Sequence, residues 1–246
     1  MNGCAIVTGA SSGIGEATVW SLAEQGFDVV PAARREDRIT SLAEQVAATF
    51  DISATPVVTD VREEREVTEL VETAASEHDR LDVLVNNAGI GRGGEITEMS
   101  TEDYRSMMQT NVDGVFFATR AALPHLVESQ GQLICVGSFA GCYPRSFNPI
   151  YAASKWWVRG FAHSVGAQVG KRGVGVTVIN PSEVRTEFDL GDYSGADGDT
   201  FEDAFEPGEV TEPEEVAEAI AFAATVDRAT VSELDLYRRD KFSDTF

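Results

Sequence analysis

The feature that most restricts this chain is the regular alternation of short apolar runs with longer amphipathic stretches, joined by only a few residues. Ala5–Val7 reads as the start of a buried strand, and Val29–Ala32, Thr55–Val58, Val83–Val85, Leu133–Val136 and Val174–Ile179 as further strands. Gly13–Gln25, Arg38–Phe50, Glu64–Glu77, Thr101–Val127, Pro149–Lys171 and Pro213–Ala224 read as helices, and Val231–Tyr237 alternates like a half-exposed edge strand. Strands alternating with helices imply a parallel sheet, and right-handed crossovers place helices on both faces. The expected fold is therefore α/β, a doubly wound parallel sheet of about seven strands flanked by helices, with residues 1–246 forming a single domain.

Where the first strand hands over to the first helix stands Thr8-Gly9-Ala10-Ser11-Ser12-Gly13-Ile14-Gly15. Glycines at such a switch point let the backbone turn tightly and approach a pyrophosphate, whose charge a helix N-terminus favours. The spacing is G-x-x-x-G-x-G, which departs from the general G-x-G-x-x-G dinucleotide pattern. The second strand ends in Pro31-Ala32-Ala33 and then Arg34-Arg35, without the carboxylate that holds a free 2′-hydroxyl. Guanidiniums grip phosphate in bidentate fashion, so the site suits NADP(H) better than NAD(H). The competing reading is a solvated helix entry in which these arginines pair with Glu36 and Asp37.

Tyr151 and Lys155 are four residues apart, on one face if the segment is helical. A free phenol titrates near ~10, and a neighbouring cation lowers that value toward the range useful to a general acid or base. With the glycine turn, Asn86-Asn87-Ala88-Gly89, Thr59-Asp60-Val61, Asn111, Ser138 and the Tyr151/Lys155 pair in order, the chain resembles the short-chain dehydrogenase/reductase family over most of its length. The resemblance implies a Rossmann-type dinucleotide-binding fold and a catalytic tetrad of Asn111, Ser138, Tyr151 and Lys155. It implies that Ser138 hydrogen-bonds the substrate oxygen and that Tyr151 exchanges a proton with it. Lys155 would lower the Tyr151 pKa and fix the nicotinamide ribose, and Asn111 would hold a water. It further implies cofactor contacts from Gly9, Ser11, Ser12, Gly13, Ile14, Gly15, Arg34, Arg35, Asp60, Val61, Asn87, Ala88, Gly89, Val184 and Thr186. The partner is then a small carbonyl or alcohol, among which small alcohols, 3-hydroxy acids and 3-oxoacyl compounds are candidates.

Two positions depart from the family pattern. Pro181 is followed by Ser182 rather than Gly, and Ser12 stands where many NADP-preferring members carry a basic residue. Substrate contacts are expected from Arg92, Cys142, Tyr143, Arg145 and Phe147, and from a loop or lid at about 187–210. The stretch Asp189–Gly208, rich in Gly and acidic residues, reads equally as a lid or as a disordered insertion. Trp157 shares a helix face with Phe161, where the family often packs across a dimer axis; a homodimer or homotetramer is expected, with intramolecular packing as the alternative.

Composition narrows the partners. The 41 acidic residues against 19 basic give a net charge of -22, a field that repels nucleic acid and anionic membranes. Only Lys155, Lys171 and Lys241 are lysines, so the surface reads as halophilic, with an ordinary acidic protein as the alternative. Cys4, Cys135 and Cys142 lack metal or disulfide spacing, and His78, His125 and His163 are scattered, so no metal site is expected. A strand at the very start and the absence of a long apolar run point to a cytoplasmic chain. The alternative to an oxidoreductase is a non-catalytic NADP(H)-binding sensor on the same fold; a sugar epimerase or dehydratase would need a larger substrate domain.

Overall fold

In the computed structural model, which describes residues 3–189 and 200–239, seven parallel strands form one sheet in the order β3-β2-β1-β4-β5-β6-β7. The strands are β1 (Cys4–Thr8), β2 (Asp28–Ala33), β3 (Val57–Val58), β4 (Val83–Asn86), β5 (Gln132–Val136), β6 (Gly175–Pro181) and β7 (Glu233–Leu236). The helices are α1 (Gly13–Glu24), α2 (Glu36–Thr49), α3 (Glu64–His78), α4 (Thr101–Met108), α5 (Gly114–Ser129), α6 (Pro149–Val169), α7 (Phe201–Ala204) and α8 (Pro213–Thr225). Strands β1, β4, β5 and β6 are buried along their whole length, as continuous apolar runs covered on both faces must be.

Two apolar layers separate on the two faces. One joins the sheet to α1, α2 and α8 through residues such as Leu22, Ile39 and Ile220. The other joins it to α3, α5 and α6 through Leu70, Leu126 and Val158. Chain order reverses between β1 and β4, so the carboxyl ends of these two strands open a crevice there.

Two local departures from the sequence expectation have physical causes. Strand β3 is shorter than Thr55–Val58. Val29 donates its N–H to the Ser53 carbonyl on the β3 side of β2 (2.9 Å), and two residues along the same edge Pro31 has no N–H to give. The helix expected over Thr101–Val127 is interrupted by a π-helical turn, Gln109–Asp113, between α4 and α5. Ser182 costs no backbone strain, since among the described residues only Asp79 and Gln130 have positive φ without being glycine. Strand β7 lies parallel at the edge, half-exposed as expected, and its Glu233 accepts hydrogen bonds from Arg159 of α6 (2.6 Å) and Asn180 of β6 (2.5 Å).

Candidate active site

The crevice at the switch point widens into a cleft of about 700 Å³, lined from the glycine turn at one end to Ser138, Tyr151 and Phe188 at the other. Gly9 and Gly13 turn the chain at φ 68° and 55°, in the left-handed region that side chains resist. Gly15 is set by proximity instead: a Cβ there would sit 2.3 Å from the Gly9 carbonyl oxygen. The turn is clamped from β4. Thr8 Oγ1 accepts from the Asn87 and Ala88 amides at 3.0 and 3.1 Å, and Asn87 Nδ2 donates to the Thr8 and Gly9 carbonyls at 2.9 and 3.2 Å. Asn87 thus serves the turn's shape as well as lining the cleft beside Ala88 and Gly89.

The two arginines after β2 have different surroundings. Arg35 donates from Nε to Ser11 Oγ (2.9 Å) and from Nη2 to Ser12 Oγ (2.7 Å), while its Nη1 pairs with Glu187 (2.8 Å). Arg38, which sequence reading passed over, reaches the same carboxylate at 2.7 and 2.9 Å. The anticipated alternative partners, Glu36 and Asp37, form no ion pair with either arginine among the described residues. Arg34 is exposed at the cleft wall and makes no ion pair among the described residues. The two guanidiniums hold the Glu187 carboxyl below its ordinary range. A carboxylate gripped in this way, beside two serine hydroxyls and a glycine turn, marks a position built for an anion. The donor set fits a phosphate.

Further along the cleft, Arg62 forks onto Asp60 (Nε to the two carboxylate oxygens at 2.9 and 3.0 Å), which keeps that carboxyl ionised, and buried Val61 follows. Val184 is buried and bridges to Thr211, and the Thr186 side chain packs against the Gly13 backbone, where a Cβ would meet its methyl at 2.8 Å. These residues line one continuous wall with Ile14, Ser11 and Ser12.

The tetrad residues converge where β4, β5 and α6 meet. Ser138 follows β5 and caps a short helical turn, accepting from the Ala140 amide at 3.1 Å. Its hydroxyl stands beside the Tyr151 phenol and favours the phenolate, but burial of the phenol outweighs this and raises its pKa. Here the sequence expectation is corrected: the Tyr151 pKa moves up, and the charge that helps to pull it down is that of Arg145. Lys155 is almost fully buried, donates to the Val136 carbonyl (2.8 Å) and lies 5.8 Å from the Tyr151 ring centroid. Burial brings its pKa down to about 8. Asn111 sits in the π-helical turn and clamps the loop after Gly89. It accepts from the Ile90 amide (2.9 Å) and donates to the Ile90 carbonyl (2.9 Å) and to Ser154 Oγ (3.0 Å). Ser154 was invisible as a site residue because its spacing is that of any buried helix position.

The substrate end differs from expectation in detail. Arg145 and Phe147 line the cleft, but Cys142 and Tyr143 do not; Tyr143 stacks on the far neighbour Phe139 at 4.5 Å. Arg92 lines it with its charge already paired to Asp189 at 2.5 Å. Residues 190–199 of the expected lid lie outside the described residues. On its flanks Asp189 bridges to Thr200, and Phe188 roofs Tyr151 at 5.7 Å between ring centroids. Phe188 had no sequence signal, since it touches Tyr151 only through the fold.

A family model described as short chain dehydrogenase matches residues 3–193. The chain is 35% identical over 222 residues to an uncharacterized oxidoreductase of Staphylococcus aureus, covering 90% of each. It is 34% identical over 224 residues to the NADP-dependent 3-hydroxy acid dehydrogenase YdfG of Escherichia coli, covering 90% of this chain and 88% of that one. Among solved structures, an alcohol dehydrogenase from the archaeon Thermococcus sibiricus complexed with 5-hydroxy-NADP superposes with a TM-score of 0.87 at 25% identity, covering 96% of this chain and 97% of that one. With a matched profile over most of its length and the fold to accompany it, the chain belongs to the short-chain dehydrogenase/reductase family.

Proposed function

We propose that this enzyme interconverts a small carbonyl compound and the corresponding alcohol with NADP(H), using Asn111, Ser138, Tyr151 and Lys155. The observation that carries the reading is the convergence of Ser138, Tyr151 and a buried Lys155, whose Nζ lies 5.8 Å from the Tyr151 ring centroid, at one end of a cleft whose other end is an anion cradle. The names of two similar proteins, one NADP-dependent and one complexed with an NADP analogue, support the cofactor. When bound, the cofactor supplies or accepts the hydride. Gly9, Gly13 and Gly15 leave room for the diphosphate at the start of α1, and Arg34, Arg35 and Arg38 supply charge for a 2′-phosphate.

At the substrate oxygen the protein's own groups act. Ser138 donates a hydrogen bond that strengthens as negative charge develops there. Tyr151, kept protonated at neutral pH by its burial, gives its proton to that oxygen in the reductive direction and takes it back in the oxidative one. Lys155 has spent one donor on Val136 and keeps two, enough to hold a ribose hydroxyl and to offer positive charge to the phenolate. Asn111 keeps the Ile90 loop and α6 in register around them.

The test is a panel of neutral and acidic carbonyls and alcohols, assayed with both cofactors at low and molar KCl. Turnover with NADP(H) is expected, as is an unfolding midpoint that rises with KCl, because salt screens the repulsion of the -22 chain. Absence of any turnover beside intact NADPH binding would replace this reading with a sensor; a midpoint falling with salt would remove the halophilic one. Buried Cys4 and Cys135, whose thiol pKa values burial raises to about 12 and about 11, suit a reducing cytoplasm.

We also propose a homodimer or homotetramer built on α5 and α6. Trp157 stacks on Phe161 (4.6 Å, 12°), Phe116 meets Phe161 edge-on (6.4 Å), and Phe116 and Trp156 remain exposed. Trp157→Glu is expected to lower the mass seen by light scattering; an unchanged mass would reduce these rings to intramolecular packing.

A further inference from the structure

Five arginines line the cleft: Arg34, Arg35, Arg62, Arg92 and Arg145. In a chain with 41 acidic residues the expectation is that each finds a carboxylate, and three do. Arg35 pairs with Glu187, Arg62 with Asp60, and Arg92 with Asp189. Arg34 and Arg145 form no ion pair among the described residues. They stand at opposite ends of the cleft, Arg34 beside the glycine turn and Arg145 six residues before Tyr151.

Arg145 is also half-buried, which makes an unpaired charge costly. Its guanidinium lies 4.2 Å from the Phe139 ring centroid and 5.9 Å from that of Phe147. The two rings hold the group in place, while its N–H donors make no hydrogen bond among the described residues. Its charge is felt by the Tyr151 phenol, so it stands within electrostatic reach of the reacting oxygen. Three residues on, Asn148 Oδ1 is buried in the same wall with no hydrogen-bond partner. Unpaired donors and an unpaired acceptor in one wall describe a polar ligand subsite rather than a packing surface.

We infer that Arg145 receives a substrate carboxylate, so that this cleft acts on small oxo acids and hydroxy acids in preference to neutral carbonyls. The inference rests on the oxidoreductase reading above. A carboxylate matches the unspent fork of donors on this guanidinium, and the anchored carboxylate would orient the carbonyl or alcohol group of the same molecule toward Ser138 and Tyr151. Arg92, the other basic candidate, already pairs with Asp189, whereas Arg145 has its donors unspent among the described residues.

The test compares 3-oxobutanoate and 4-oxopentanoate with their primary amides, under NADPH, in the wild-type enzyme, Arg145→Met and Arg145→Lys. A fork of hydrogen bonds to a charged group predicts that wild-type kcat/KM favours an acid over its amide by about 10–100-fold. Arg145→Met should bring that ratio close to one, with Arg145→Lys between, and NADPH binding followed by fluorescence shows that each variant is folded. A wild type that does not prefer acids, or a preference that survives in folded Arg145→Met, overturns the inference while the oxidoreductase reading stands. Should the variant not fold, inhibition of the wild type by propionate against propionamide decides: equal inhibition overturns the inference, and stronger inhibition by propionate supports it. A wild type that turns over neither acids nor any neutral carbonyl, yet binds NADPH, overturns the parent reading instead, and this inference falls with it.

Discussion

Tyr151→Phe is expected to lower kcat by about 10³-fold or more, the loss that accompanies removal of a positioned proton donor. The ring itself should stay in place. It packs 5.7 Å from Phe188, and Phe preserves that contact, so folding and NADPH binding should change little. The loss must appear with every substrate, because the phenol acts on the reacting oxygen and not on the rest of the molecule. Turnover retained within tenfold would mean that another group or a water carries the proton, and the mechanism would fail. Burial also fixes the sign of the effect of pH. Because the Tyr151 pKa is raised, the phenol stays a competent acid through neutrality. Lys155, with its pKa brought down to about 8, loses its positive charge as pH rises through that value.

The second large effect concerns the choice of cofactor, and the structure separates two neighbouring arginines for the purpose. Arg34→Ala is expected to raise KM for NADP(H) by about 10-fold, with little change for NAD(H), since it removes one charge-assisted phosphate contact and no ion pair among the described residues. Equal effects on both cofactors would refute the assignment. Arg35→Ala should be less selective, because that guanidinium also ties Ser11 and Ser12 to Glu187 and so shapes the turn both cofactors need. Glu187→Gln should act in the opposite sense to Arg34→Ala. It weakens an internal anion's hold on Arg35 and Arg38, leaving them more available to an incoming phosphate. Direct NADPH and NADH titrations of the three variants check all of these outcomes.

The parts of the site that were legible in the sequence are those fixed by short spacing. The glycine turn, the Asn86–Gly89 run and the Tyr151/Lys155 pair each lie within a single turn or loop, where backbone geometry alone sets what neighbours what. The alternation of apolar runs likewise made the layers and the parallel sheet readable, because the runs at β1, β4, β5 and β6 are buried on both faces. Glu187 was not legible, since it meets Arg35 across 152 positions and only the fold brings the segment after β6 to the end of β2. The same holds for Phe188 above Tyr151 and for Ser154 beneath Asn111. The shortened β3 was readable in principle, as Pro31 announces a missing donor, but only the register shows that the donor faced β3. The Tyr151 pKa was misjudged for a related reason: a lysine four residues away is visible in a sequence, whereas the enclosing walls are not.

The π-helical turn at Gln109–Asp113 carries a consequence for how this helix can change. Such a turn holds one residue more than the regular spiral and gives up some hydrogen-bond quality to do so. Deleting a single residue just before Asn111 would let α4 and α5 fuse into one ordinary helix with better backbone bonding. It would also swing the following side chains by about 100° around the axis. The carboxamide now shared between Ile90 and Ser154 would face elsewhere, and the loop beyond Gly89 would lose its clasp. A chain shortened in this way should gain in the helix and lose in the active site, which makes the surplus residue a place where durability is exchanged for chemistry.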